Sequence, residues 1–184
     1  VPGVTVAKNE GYKTIISIRG VGNETNQNAI AAPSVAFHMD GVFIASPFAL
    51  GTDFLDVERI EVLRGPQGTL FGQNSTGGAV NVISKAPTTE GGEGKLNVTF
   101  GDYNLRKVST SNNFVVNDKI ATRFSISSTT RDGFTKNVFT GQDLDDANNK
   151  SIRTDWMFDL NDTSSLRVFG QYFKVDRNGA AIRG

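Results

Sequence analysis

Cysteine is absent from the 184-residue chain, which excludes disulfide frameworks, thiolate zinc sites and cysteine nucleophiles. Histidine occurs once, at His38, so a histidine-rich metal site or a His-based catalytic triad is not expected within the chain. Lysine plus arginine equals aspartate plus glutamate at 19 each, and no net charge therefore attracts the chain to nucleic acid. We expect no cofactor, no metal ion and no nucleic-acid partner.

Long hydrophobic runs are also absent. No stretch approaches the roughly 20 apolar residues of a membrane-spanning helix, and no basic-then-apolar segment resembles a signal peptide. These absences exclude a helical membrane protein. They leave a soluble protein or a β-barrel, whose half-apolar strands escape a hydropathy scan.

The composition changes at residues 87–92, PTTEGG, which are typical of a linker. We therefore predict two domains, residues 1–88 and residues 93–184. In the first domain, short apolar runs at residues 14–18, 35–37, 59–63 and 79–83 predict strands of a small mixed sheet. The spacing of Leu50, Phe54 and Leu55 permits one or two helical turns, so this domain is predicted to be α+β.

In the second domain, apolar and polar residues alternate with a period of two, as in strands with one apolar and one polar face. Five strands are predicted, near residues 95–100, 105–116, 120–127, 152–160 and 165–175. Two of them are irregular: Asn112 falls in step with Phe114, and the aromatic residues Phe169 and Phe173 share a face with Arg167. The apolar face is expected to touch lipid, and the polar face to look inward.

The connections alternate in length, with tight turns at residues 117–118 and 161–163 and a long link from 131 to 149. Outer-membrane barrels combine short periplasmic turns with longer extracellular loops in this way; the short connection at residues 101–104 is the exception. A transmembrane sheet must close, and five strands cannot enclose an 80-residue domain, because lumens of that width belong to barrels of about 22 strands. The chain is therefore expected to be a fragment of a large transmembrane β-barrel.

The segment DVERIEVLRGPQGTLFGQNSTGGAVNVISK at residues 56–85 closely resembles the plug signature of TonB-dependent outer-membrane receptors. Upstream, SIRG at residues 17–20 and MDGV at residues 39–42 resemble two further plug motifs. FGDY at 100–103, ATR at 121–123, DGF at 132–134 and SIR at 151–153 resemble the opening barrel strands. Residues 1–4 resemble a position already inside the plug, so its N-terminal part and the TonB box are expected to be missing.

This resemblance implies a transport receptor of the cell outer membrane, embedded in its lipid bilayer. Such receptors bind a scarce external solute, and TonB, energised by ExbB and ExbD, then rearranges the plug. The ligand would be a small molecule or an oligosaccharide, most often a ferric siderophore, although similar receptors import carbohydrates and other nutrients. No enzyme activity is expected.

The resemblance also suggests roles for individual residues. Arg19 and Arg64 resemble family arginines that meet carboxylates on the barrel wall; an exposed strand-end arginine is the alternative for each. Asp40 is interpreted as an Asx-type turn anchor. The remaining plug-motif residues are assigned a structural role, mainly in sharp turns: Gly41, Gly65, Pro66, Gly68, Gly72, Gly77, Gly78 and Asn81.

Solute contacts are expected on plug loops that face outward. Amide side chains there could donate and accept hydrogen bonds, and two phenylalanines could stack on a catechol or a sugar. The predicted contact residues are Asn23, Asn26, Gln27, Asn28, Phe43, Ser46, Phe48, Gln73 and Asn74.

Other functional classes fit less well. Residues 72–77 match the start of a phosphate-binding loop, but Gly78 and Ala79 replace its lysine and hydroxyl residue. Residues 20–22 begin a dinucleotide fingerprint that Thr25 breaks. A hydrolase using Asp53 with Asp56 or Glu58 lacks nearby polar partners. A soluble β-sandwich binding module remains an alternative, and it would need a second sheet to cover the apolar faces.

Overall fold

The computed structural model describes residues 4–9, 13–18, 21–22, 35–44, 54–65 and 78–178. The chain divides into two compact units. The first comprises Val1–Gly51 and Val57–Ser84, and the second comprises Thr52–Asp56 and Lys85–Gly184. Across these described ranges, no helix is long and apolar enough to cross a membrane.

The first unit contains two sheets. Its strands are β1 (Val4–Asn9), β2 (Lys13–Ile18), β3 (Val21–Gly22), β4 (Val35–Met39), β5 (Val42–Phe43), β6 (Val57–Arg64) and β7 (Gly78–Ser84). Strands β1, β2 and β3 form an antiparallel sheet, and the other four form a sheet of order β5-β4-β7-β6. The strands predicted from the four apolar runs are present, but β2 lies in the antiparallel sheet and not in the mixed sheet with the other three. The predicted helical turns lie mostly outside the described residues.

The core of this unit lies along β4 and β7, which pair in parallel, with Val35 opposite Gly78. Parallel strands are usually buried on both faces and read as continuous apolar runs. The sequences VAF in β4 and AV in β7 fit that rule. The buried apolar side chains are Val35, Ala36, Phe37, Ala79, Val80 and Val82.

The second unit is a five-stranded antiparallel sheet of order β14-β13-β10-β9-β8, with a two-stranded hairpin, β11-β12, in the long connection. Its strands are β8 (Glu93–Gly101), β9 (Leu105–Asn117), β10 (Ile120–Arg131), β11 (Thr135–Lys136), β12 (Asp143–Leu144), β13 (Ala147–Asn161) and β14 (Ser164–Val175). The five strands predicted from the period-two pattern are confirmed. The sequence did not predict the β11-β12 hairpin.

In this sheet the polar face is buried and the apolar face is exposed, which is the reverse of a sheet in a water-soluble protein. Apart from Ala121, the buried residues on one face are polar or charged: Ser111, Asn113, Arg123, Ser125, Ser127, Asn149, Ser151, Arg153 and Asp155. On the other face, Leu96 is 67% exposed and Phe100 is 76% exposed. No strand in the described part of the chain covers this apolar face, as a second sheet of a β-sandwich would.

The two irregular strands have local explanations. Asn112 lies on the apolar face, where its Nδ2 donates to Thr110 Oγ1 at 3.0 Å. It faces Gly94 across β8 and β9, and a Cβ on Gly94 would lie only 2.7 Å from Asn112 Oδ1. On β14, the Phe169 ring lies 4.5 Å from the Arg153 guanidinium carbon. The polar face therefore accepts this aromatic ring through a cation–π contact.

The turn between β8 and β9 and the long connection after β10 lie at the same end of the sheet. Asp132 N–H donates to the Tyr103 carbonyl at 2.8 Å, and the Tyr103 and Phe134 rings are 5.2 Å apart. Tyr103 and Asn104 both have φ of +56°, as a tight type I′ hairpin turn requires. The β8-β9 turn therefore lies at the same end of the sheet as the long connection, as the sequence prediction placed it.

Candidate functional site

The turn between β4 and β5 is fastened to the end of β7. Asp40 adopts a φ of +49° and Gly41 one of +80°. The Asp40 carboxylate accepts from Ser84 N–H at 2.8 Å and from Ser84 Oγ at 2.9 Å. These partners lie far along the chain, so Asp40 joins two strands as well as shaping its own turn.

Asn81 supports the same turn from the middle of β7. Its Oδ1 accepts from Gly41 N–H at 3.3 Å, and its Nδ2 donates to Glu61 Oε2 at 3.5 Å. Asn81 is buried, and a buried amide that lacked such partners would be costly. The residues of the MDGV motif and of the long plug signature thus meet in one hydrogen-bonded cluster.

Arg64 and the glycines beside it mark the end of β6. Arg64 is exposed and pairs in register with Gly78. Gly65 has φ of +85° and Gly78 one of +142°, values that favour glycine. A Cβ on Gly65 would meet nothing within 4 Å, so backbone conformation alone favours glycine there. The predicted contact of Arg64 with a barrel carboxylate remains a prediction.

Phe43 lies on the β4-β5 hairpin, is 38% exposed and has its ring centroid 5.5 Å from that of His38. Burial lowers the pKa of His38, because desolvation penalises the charged imidazolium. Solute binding by Phe43 remains a prediction. The other predicted contact, ion-pair and motif residues lie outside the described residues: Arg19, Asn23, Asn26, Gln27, Asn28, Ser46, Phe48, Pro66, Gly68, Gly72, Gln73, Asn74 and Gly77.

The polar face of the second unit carries two charge clusters that the sequence did not reveal. In the first, Arg123 forms a two-bond ion pair with Asp56; its Nη2 lies 3.1 Å from Asp56 Oδ1. The Arg123 side chain is 3% exposed and that of Asp56 is 11% exposed. Glu93 Oε2 lies 3.8 Å from Arg123 Nη1, and Glu93 Oε1 accepts from Lys85 Nζ at 2.7 Å.

The second cluster places one carboxylate between two guanidinium groups. Asp155 Oδ2 accepts from Arg153 Nη2 at 2.9 Å and from Arg167 Nη2 at 2.6 Å, while Asp155 Oδ1 accepts from Arg167 Nε at 2.9 Å. Arg153 and Asp155 are buried. The sequence shows Arg153 and Asp155 two positions apart on one face of β13. It does not show which strand pairs with β13, so the contact with Arg167 could not be predicted.

Neither cluster has the chemistry of a hydrolytic site. Asp56 is ion-paired with Arg123, and the Glu58 carboxylate accepts a hydrogen bond from Arg59 Nη1 at 2.8 Å. Across the described ranges, no group of three or more histidine, cysteine, aspartate or glutamate residues could hold a metal ion. The arrangement supports strand pairing and charge compensation on a polar, lumen-like surface.

The first part of the chain matches a known protein family. The family model described as the TonB-dependent Receptor Plug Domain matches residues 1–79. The fold of the ferric yersiniabactin uptake receptor FyuA from Yersinia pestis superposes on 94% of this chain and 27% of that one, with a TM-score of 0.81 and 22% identity. Residues 1–79 therefore match the plug-domain family of TonB-dependent receptors. The fold of the chain is a plug domain followed by antiparallel strands like those of the receptor barrels.

Curated relatives are similar to this chain over short stretches. The pesticin receptor of Yersinia enterocolitica is 35% identical over 88 residues, which are 47% of this chain and 12% of that protein. The catecholate siderophore receptor Fiu of Escherichia coli strain K12 is 30% identical over 109 residues, or 57% of this chain and 14% of that protein. The chain thus spans only 12% and 14% of the length of these two relatives, both of which are named as receptors.

Proposed function

We propose that the chain is the plug and first barrel strands of a longer receptor that imports a ferric siderophore across the outer membrane. The inverted sheet is the observation that carries the transport role. Its apolar side chains are exposed while Arg123, Arg153 and Asp155 are buried, which suits a wall between lipid and a polar lumen. Its outer strands, β8 and β14, would pair with further strands, because open edges are costly in hydrocarbon.

The siderophore assignment is supported by what the similar proteins are known to bind. One is a catecholate siderophore receptor, and the similar fold belongs to a ferric yersiniabactin uptake receptor. Energy would come from TonB, with ExbB and ExbD, pulling on the plug. Import then requires movement of the plug but no covalent change in the solute.

The test is uptake by cells that lack the receptor gene. We expect deletion to reduce growth in iron-restricted medium supplied with one ferric siderophore, and a plasmid copy to restore growth. Deletion of tonB should give the same loss. A catecholate siderophore is the first to try, followed by phenolate and hydroxamate types. Normal uptake of every ferric siderophore would contradict the proposal, and a growth defect on an oligosaccharide instead would assign the receptor to nutrient import.

The predicted solute contact that the structure describes can be tested in the same cells. Phe43 is part-exposed on a hairpin, so Phe43→Ala should weaken solute binding without lowering receptor abundance. Unchanged binding would remove Phe43 from the solute site.

A further inference from the structure

In the second unit, the segment that precedes β8, residues 85–91, is held against strand β9 by one side chain. Asn113 Oδ1 accepts from Thr88 N–H at 3.0 Å, and Asn113 Nδ2 donates to the Thr88 and Gly91 carbonyls, each at 2.8 Å. Asn113 is 4% exposed. A Pro, Gly and Thr-rich segment that looks loose in sequence is therefore fixed by three hydrogen bonds to a buried amide.

The neighbouring strand holds a second chain segment in the same place. Arg123 on β10 binds the Asp56 carboxylate, and the Asp56 carbonyl accepts from Lys85 N–H at 2.9 Å. Asp56 immediately precedes β6, and Lys85 immediately follows β7. Asp56 and Lys85, which flank the Val57–Ser84 segment in sequence, thus meet on the polar face of the second unit, to which both belong.

Asn113 and Arg123 are direct partners in the β9-β10 register. We propose that this pair is a fixed anchor, which positions Asp56 and residues 85–91 and stays closed while the plug is displaced. The proposal rests on the proposed transport function. Movement would then be confined to residues before Asp56 and residues between Asp56 and Lys85, and the junction with the barrel strands would not slide.

Because the Asp56–Arg123 ion pair is buried, it is harder to separate than an exposed pair and should stay closed. Removing one partner of a buried ion pair leaves an uncompensated charge, which costs more than separating exposed charges. Arg123 is 3% exposed, whereas Lys85 and Glu93 in the adjoining pair are 39% and 50% exposed. Of these contacts, the Asp56–Arg123 pair and the Asn113 bonds are therefore the ones that resist an applied force.

A cysteine pair in the full-length receptor tests whether the anchor opens. The chain has no cysteine, so Asp56→Cys with Arg123→Cys gives two thiols that a short bifunctional reagent can join. Without the reagent, we expect energised uptake to fall by about 5-fold or more, while siderophore binding to de-energised cells is retained. Joining the thiols should restore uptake.

Two outcomes would overturn the proposal. If the joined receptor binds siderophore but does not import it, the anchor must open during transport. If the unjoined variant imports at the wild-type rate, the pair positions nothing. A variant that lost binding and import together would show only a general structural role, which also contradicts the proposal.

A second measurement does not depend on the solute. Asn113→Ala should speed hydrogen exchange at the Thr88 amide, which Asn113 holds. Asn112→Ala is the matched control, because Asn112 is the adjacent asparagine on the opposite face, and it should leave this amide unchanged. Slow exchange in the Asn113 variant would contradict the anchor even if wild-type receptor imports no siderophore. Failure of wild-type import alone would instead contradict the proposed function.

Discussion

At the scale of single residues, the plug motif is explained by backbone geometry and by a few buried polar groups. Asp40 and Gly41 take left-handed φ values of +49° and +80°, and their polar atoms are satisfied by Ser84 and Asn81. The aspartate and glycine of MDGV could be predicted from the sequence as turn residues. The distant partner, Ser84, was not, because it is brought near only by the pairing of β4 with β7.

Asp40→Ala should destabilise the plug by about 1–3 kcal/mol, because the Ser84 N–H would lose its acceptor inside the protein. Ser84→Ala removes the hydroxyl donor but keeps the N–H bond, so its loss should be smaller, about 0.5–1.5 kcal/mol. Urea unfolding of the purified receptor, followed by a probe in the plug, measures both. Equal losses in the two variants would show that the backbone bond contributes nothing.

We expect His38 to make plug stability depend on pH. Because burial lowers its pKa below 6.5, the unfolded chain binds a proton more readily than the folded one, and stability falls as the pH decreases below 6.5 towards the folded value. His38→Phe should remove this component. The measurement is plug unfolding at neutral pH and at pH about 5. A wild-type pH dependence that the variant retains in full would exclude His38 as its source.

At the scale of elements, period-two patterning predicted the five long strands well, because one face of each strand must be apolar. It could not predict pairing. Strand pairing brings together residues that are far apart in sequence. Val35 lies opposite Gly78 in a parallel pair, and Arg123 lies opposite Asp155. The charge clusters and the Asn113 contacts were missed for the same reason: local alternation assigns a face but not a neighbour.

The β13-β14 pair should depend strongly on Asp155, which compensates Arg153 and Arg167. Asp155→Ala would leave two cations together on a buried surface and should cost about 3–5 kcal/mol. Asp159→Ala is the control, since Asp159 lies on the same face of β13 but is only half-buried, and its effect should be within about 0.5 kcal/mol. Thermal unfolding in detergent compares them. Similar stabilities of the two variants would mean that the arginines are stabilised by other groups.

At the scale of the whole molecule, the placement of apolar surface decides between a membrane wall and a water-soluble sheet. An exposed isoleucine on a soluble protein tolerates arginine within about 0.5 kcal/mol. The same change on the lipid face of a barrel costs about 2–4 kcal/mol near the bilayer midplane. Ile126 lies near the middle of β10 and is 39% exposed on the apolar face.

Ile126→Arg should therefore lower the stability of the full receptor in lipid vesicles by about 2–4 kcal/mol and reduce its amount in the outer membrane. The control is Phe139→Arg, because Phe139 is 95% exposed in the connection between β11 and β12, outside the strands that would span the membrane. It should be nearly neutral. Urea titration of receptor refolded into vesicles measures the difference. If both substitutions are neutral, the apolar face does not meet lipid, and the transport proposal loses its physical basis.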